Sequence, residues 1–265
     1  MKKRVFLLGL LFLVGLSVLL YPLISSEWNR HRSDAMIDSY TQTVSQAPAE
    51  DRSAWIDSAR QYNAALGGKQ FPDAFANITR EESAAYLVQL AFDDNGVMAY
   101  ISIPRIDVSL PVYHGTSPEA LAKGAGTHCV ISAHRGLPSA TLFTDLDQLR
   151  LGDHFYLYVL DQVLAYQVDQ ILVVDPDEME ALNRQDGADY TTLVTCTPYG
   201  VNTQRLLVRG HRVAYESETE QQEAQQTVRS LHTNYVLWVA VGLGVTLVFI
   251  LLLWRGQRSK GKRLS

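Results

Sequence analysis

The chain has 265 residues, a formal net charge of −5 and only two cysteines. All 28 acidic residues lie between Glu27 and Glu223; the stretch between two long apolar runs carries 15 basic residues, a net of −13. So acidic a middle makes nucleic acid an unfit partner, while the basic tails suit anionic lipid headgroups.

Residues 5–25 carry no charge and follow Lys2, Lys3 and Arg4. Their basic start and apolar run fit a cleaved signal peptide or an uncleaved anchor. The length, with no small-x-small site closing it, favours the anchor. Residues 235–254 are also uncharged, precede Arg255, Arg258, Lys260, Lys262 and Arg263, and carry Tyr235, Trp238 and Trp254 near their ends. About 20 apolar residues at ~1.5 Å each cover the ~30 Å hydrocarbon core, so this run reads as a transmembrane helix with aromatic anchors. The basic flanks put both termini in the cytoplasm, residues 255–265 being a basic cytoplasmic tail, and place the middle outside.

Between these runs, 26–96 reads as a helical region. Ile37, Tyr40 and Val44 keep helical spacing within 34–66, Ala47-Pro48-Ala49 interrupts it, and Ser53 can cap a second helix bearing Ile56, Ala59, Tyr62 and Leu66 before Gly67-Gly68. Residues 69–77, rich in turn formers, read as an exposed loop.

From 97 to 215 the pattern becomes short strands: 98–103, 106–112, 127–134, 153–160, 163–168, 171–174, 191–196 and 205–214, with a tight Asp161-Gln162 turn and a more helix-like 138–149. Seven to eight strands at this spacing predict a mainly β fold, a closed barrel or sandwich, instead of a parallel α/β sheet. Residues 216–234, polar and acidic, read as a solvated stalk.

Two strand ends carry reactive groups. One strand ends at Cys196 before the turn Thr197-Pro198-Tyr199-Gly200, and Arg205 opens the next; another ends in Ser132-Ala133-His134-Arg135-Gly136. A thiol can attack, an imidazole can move protons, and a guanidinium can favour thiolate and hold a substrate oxygen. In an exported domain the plain alternative is a Cys129–Cys196 disulfide. Strand parity over 127–134 opposes it, turning His128, Val130, Ser132 and His134 one way and Cys129, Ile131 and Ala133 the other. His114, His128, His154 and His211 have no metal-ligand spacing. Asp175, Asp177, Glu178 and Glu180 read as a solvated turn, and no motif implies an organic cofactor.

Thr192-Leu193-Val194-Thr195-Cys196, with Arg205 nine residues on, resembles the signature of sortases, membrane-anchored bacterial transpeptidases. Gly126-Thr127-His128 through His134-Arg135-Gly136-Leu137-Pro138-Ser139, and Tyr199-Gly200 through Asn202 to Arg205–Gly210, resemble the class C, pilus-assembling branch. The resemblance covers about residues 30–215 and implies a sortase-like β-barrel. It implies Cys196 as nucleophile, His134 as acid/base and Arg205 as substrate and oxyanion partner. The implied substrates are pilin or surface proteins with a Leu-Pro-x-Thr-Gly-like signal, cut at Thr-Gly and passed to a pilin lysine amine. Attachment to cell-wall peptide and a hydrolytic cysteine peptidase are the alternatives. Class C members resemble one another in an N-terminal lid with Asp-Pro-aromatic. Here Asp73 and Phe75 match the acid and the aromatic, while Ala74 stands where proline is usual.

Overall fold

A computed structural model describes residues 2–65, 84–91, 96–115, 125–127, 130–178, 180–182, 189–228, 237 and 239–246. Helix α1 (Lys2–Gln46) is a single element of 45 residues, about 68 Å long. The sequence reading separated an apolar run ending at residue 25 from a helix starting near 34. The two are continuous because nothing from Ser26 to Ser33 breaks a helix. Among the described residues, one helical stretch, Gly9–Gln46, is long and apolar enough to cross a membrane, and its apolar window is unburied. Further along, α1 turns its inner face to the barrel: Tyr40 and Val44 are buried. The Tyr40 hydroxyl donates to Met98 O (3.3 Å) and accepts from the Leu160 amide (2.7 Å). The chain breaks at Pro48 and resumes as α2 (Ala49–Ala65); α3 is a single turn, Ala84–Leu87.

Among the described residues eight strands follow: β1 (Val97–Ile103), β2 (Val108–His114), β3 (Ala125–Thr127), β4 (Val130–Ser132), β5 (His154–Val159), β6 (Gln162–Val174), β7 (Tyr190–Thr197) and β8 (Gln204–Val213). They close a barrel in the order β1-β2-β3-β4-β7-β8-β6-β5, with β5 pairing back onto β1. Closure removes the exposed edges that an open sheet would present. Ile101, Ile103, Val112, Ile131, Phe155, Leu193 and Val208, each essentially inaccessible, fill the interior. A Cβ on Gly210 would come within 2.7 Å of the Phe155 ring, so this strand position must be glycine for Phe155 and Tyr166 to stack beneath it.

Four further expectations change. The strands expected at 163–168 and 171–174 are one, β6, which carries a register shift against β8 between Val168 and Gln170. The single strand 127–134 is two: β3 and β4 pair antiparallel with each other, which a stretch with no glycine or proline to mark the break does not reveal. The helix-like 138–149 is mostly irregular, with one 3-10 turn at Leu146–Gln148, although Leu142, Leu146 and Leu149 are buried as expected. The segment expected as a solvated stalk begins with helix α4 (Ser217–Gln225) docked on the barrel. Glu220 accepts from the hydroxyls of Tyr158 (2.8 Å), Tyr215 (3.0 Å) and Ser102 (3.2 Å). Glu223 pairs with His154 Nδ1 at 2.8 Å and accepts from its amide at 3.1 Å. Burial, with the hydrogen bond to Glu220, raises the pKa of Tyr158 and of Tyr215 above the ordinary phenol value, so both remain donors at neutral pH. Of the C-terminal apolar run, 239–246 is helical; its other residues, 237 apart, lie outside those described.

Candidate active site

The β4–β7–β8 wall carries the three residues. Cys196 and Arg205 are direct partners across antiparallel β7 and β8, a relation that sets Cα atoms about 4.5–5.5 Å apart. Strand β4 runs parallel to β7, with Ser132 opposite Val194. Continuing that register two residues brings His134 level with Cys196. The backbone follows it: the Ala133 amide donates to Val194 O at 3.2 Å, and Thr195 Oγ1 donates to Ala133 O at 2.8 Å.

Parity then decides which way the side chains point. Ile131, Ala133, Leu193, Leu206 and Val208 belong to the barrel interior, whereas Val130, Val194 and Leu207 form a second cluster outside it with Leu182. Counting in twos from those outer residues puts His134, Cys196 and Arg205 all on the outer face. The thiol is buried and free of any disulfide, and Arg205 is buried too. Its guanidinium donates to Asn202 O (3.3 Å) and Gln204 O (3.1 Å), which hold it beside the strand end. His134 is half-buried, and loss of hydration lowers its pKa below the ordinary imidazole value. A neutral imidazole at pH 7 can accept or relay a proton. Ser132, on the same face two residues before His134, is fully buried, and among the described residues its hydroxyl has no hydrogen-bond partner.

The parity argument against a Cys129–Cys196 bridge assumed one strand where there are two, yet its outcome for Cys196 holds. Cys129, His128, Asp73 and Phe75 lie outside the described residues. Of the other histidines, His154 anchors α4 and His211 approaches Asp169 at 3.6 Å.

Sequence reasoning missed a bracket next to the site. Arg135, buried, donates through Nε to Thr144 O (3.1 Å) and through Nη1 to Thr197 Oγ1 (3.1 Å), and it pairs with Asp147. It therefore ties the residue after His134 to the residue after Cys196. Gly136, at φ +76°, completes the turn, and a Cβ there would press on Tyr199 at 3.3 Å. The only sequence signal was an arginine directly following a buried strand. Its partners, 9 to 62 positions away, left none.

A sortase-domain family model matches residues 101–213. Among curated relatives, a sortase A of Bacillus anthracis is 28% identical over 144 residues, 51% of this chain and 68% of that protein. The chain spans about half to two thirds of the length of the curated relatives it matches. Among solved structures, sortase C of Streptococcus pneumoniae, described in connection with pilin substrate specificity, is 43% identical at a TM-score of 0.64. The match covers 68% of this chain and 97% of that one. Sortase C1 of Streptococcus agalactiae is 44% identical at 0.62, covering 69% and 100%.

Proposed function

Because the chain belongs to the sortase family, we propose that it is a membrane-anchored cysteine transpeptidase that builds covalent pili. The observation that carries the reading is the cross-strand pair Cys196–Arg205, with His134 brought level by the parallel β4–β7 register.

In this mechanism the Cys196 thiol gives its proton to His134, and the sulfur attacks the threonine carbonyl of a Leu-Pro-x-Thr-Gly-like signal. The carbonyl oxygen becomes an oxyanion facing the Arg205 guanidinium. Collapse breaks the Thr–Gly C–N bond, leaving a thioester on Cys196, and imidazolium protonates the departing glycine amine. A pilin lysine amine then attacks the thioester carbonyl and loses its proton to His134. The C–S bond breaks, an isopeptide bond forms, and the thiol recovers its proton.

Under this reading the barrel faces outward, both termini are cytoplasmic, and Asp73 and Phe75 cover the cleft until substrate arrives. The likeness to sortase C structures at 36–44% identity favours a pilin lysine over cell-wall peptide as acceptor.

The test is to incubate the protein with a sorting-signal peptide and map the acyl adduct by peptide mass, then repeat with a lysine-bearing pilin peptide. A thioester on Cys196 that resolves to an isopeptide product supports the reading. No adduct removes it, and a free carboxylate product in the presence of amine identifies a hydrolase.

A further inference from the structure

Helix α1 is a ruler running from the membrane segment along the barrel. Its apolar run from Val5 to Ile24, before Ser25, Ser26 and the first charge at Glu27, is 20 residues, about 30 Å, the depth of one hydrocarbon core. Along its outer surface Val14, Val18, Tyr21, Ile24 and Trp28 stay bare, and Trp28 is the aromatic kind that settles at a lipid–water boundary.

The loop that starts at His134 meets the ruler at that boundary. Ser25 Oγ donates to Pro138 O at 3.3 Å, and Asn29 Nδ2 donates to Ser139 O at 2.7 Å. Ser25 and Asn29 stand about 1.5 and 7.5 Å beyond the end of the apolar run, within or at the rim of a headgroup layer ~5–7 Å deep. Other contacts fall higher. Arg30 meets Asp107 at 3.3 Å, and Tyr40, about 22 Å beyond Ser25 along the axis, meets Leu160.

The loop itself is closed at both ends. Its base is pinned where the Phe143 amide donates to His134 O at 3.1 Å, and its tip where Leu137 bridges Ala140. Pro138 is four positions along the chain from His134, a reach of at most about 14 Å.

We propose that the tip of this loop, residues 137–140, lies against the outer headgroup layer of the bilayer, so that lipid forms part of the setting of His134. The partner is a phospholipid surface, and the inference rests on the reading of α1 as an uncleaved anchor. Peptide substrate is then engaged next to the membrane surface instead of one barrel diameter above it.

The test uses the full chain in nanodiscs containing a phosphatidylglycerol with a diazirine on its headgroup. After irradiation, label is mapped by peptide mass. The proposal expects label on the Trp28 segment and on 137–140, with none on 160–162. Label at Trp28 but none on 137–140 overturns the proposal while leaving the anchor intact. No label at either place overturns both, independently of whether Cys196 forms an acyl adduct. Equal label on 137–140 and 160–162 also overturns it, because the barrel would then lie on its side.

Discussion

The hydroxyl of Thr195 donates to the carbonyl of Ala133 at 2.8 Å, and each residue immediately precedes one of the groups on the outer face, Cys196 and His134. Neither atom touches substrate, yet the bond fixes how far β7 can slide along β4. Thr195→Val deletes the donor and leaves a buried carbonyl with one partner fewer, a destabilisation of about 1–2 kcal/mol. Turnover should drop mainly in kcat, since substrate contacts are untouched while sulfur and ring lose register. Thr195→Ser should restore both. Steady-state kinetics with thermal melts check this, and a Val variant with unchanged kcat rejects the positioning role.

Arg205 offers a planar fork, and lysine offers only charge. Arg205→Lys should therefore recover little of what Arg205→Ala loses, which is on the order of 10²–10³ in kcat if the fork meets a developing oxyanion. Single-turnover acylation rates make the comparison. A lysine variant near full rate means that charge alone suffices.

For His134 the direction of shift fixes a pH dependence. Its folded pKa is lowered by burial, so between that value and the unfolded reference of about 6.5 the unfolded chain binds more protons. Its stabilising contribution is full above the unfolded value and is lost as pH falls through the folded one. His134→Gln should flatten the fall in stability on acidification, read from urea midpoints across that window. Imidazole NMR should place the His134 midpoint below 6.5. A midpoint at or above that value contradicts the burial seen here.

Asp147 is the counter-charge for the buried Arg135 guanidinium. Asp147→Asn keeps an acceptor oxygen but removes the negative charge opposite that buried cation, and should lower stability by about 1–3 kcal/mol. Activity should fall with it, because the bracket sets the turn after His134. Urea unfolding beside acylation kinetics distinguishes a loss of fold from a loss of alignment.

The β5–β6 hairpin was legible in the sequence because alternation and a two-residue turn are local signals, and the same holds for the break between α1 and α2 at Pro48. The meeting of Cys196 with Arg205 was legible because one turn joins their strands. His134 was placed through its strand end and family resemblance, although that strand was drawn too long: 127–134 holds no glycine or proline to mark a break, while β3 and β4 pair antiparallel as two short strands. What escaped was carried by partners remote in the chain. Glu220 and Glu223 belong to a segment whose composition is that of a solvated linker, and only the tyrosines and histidine of distant strands turn it into a docked helix. Arg135 stands beside His134, but its role depends on Asp147 and Thr197, which nothing local announces.

The docking of α4 redraws where an isolated catalytic fragment can end. The family match stops at residue 213, yet beyond it Thr227 donates to Pro104 O (3.1 Å) and the Val228 amide to Arg105 O (2.7 Å). A recombinant piece cut at Val213 would strip Tyr158 and His154 of their carboxylates and leave aromatic rings bare to water. A fragment that keeps these contacts must extend at least through Val228.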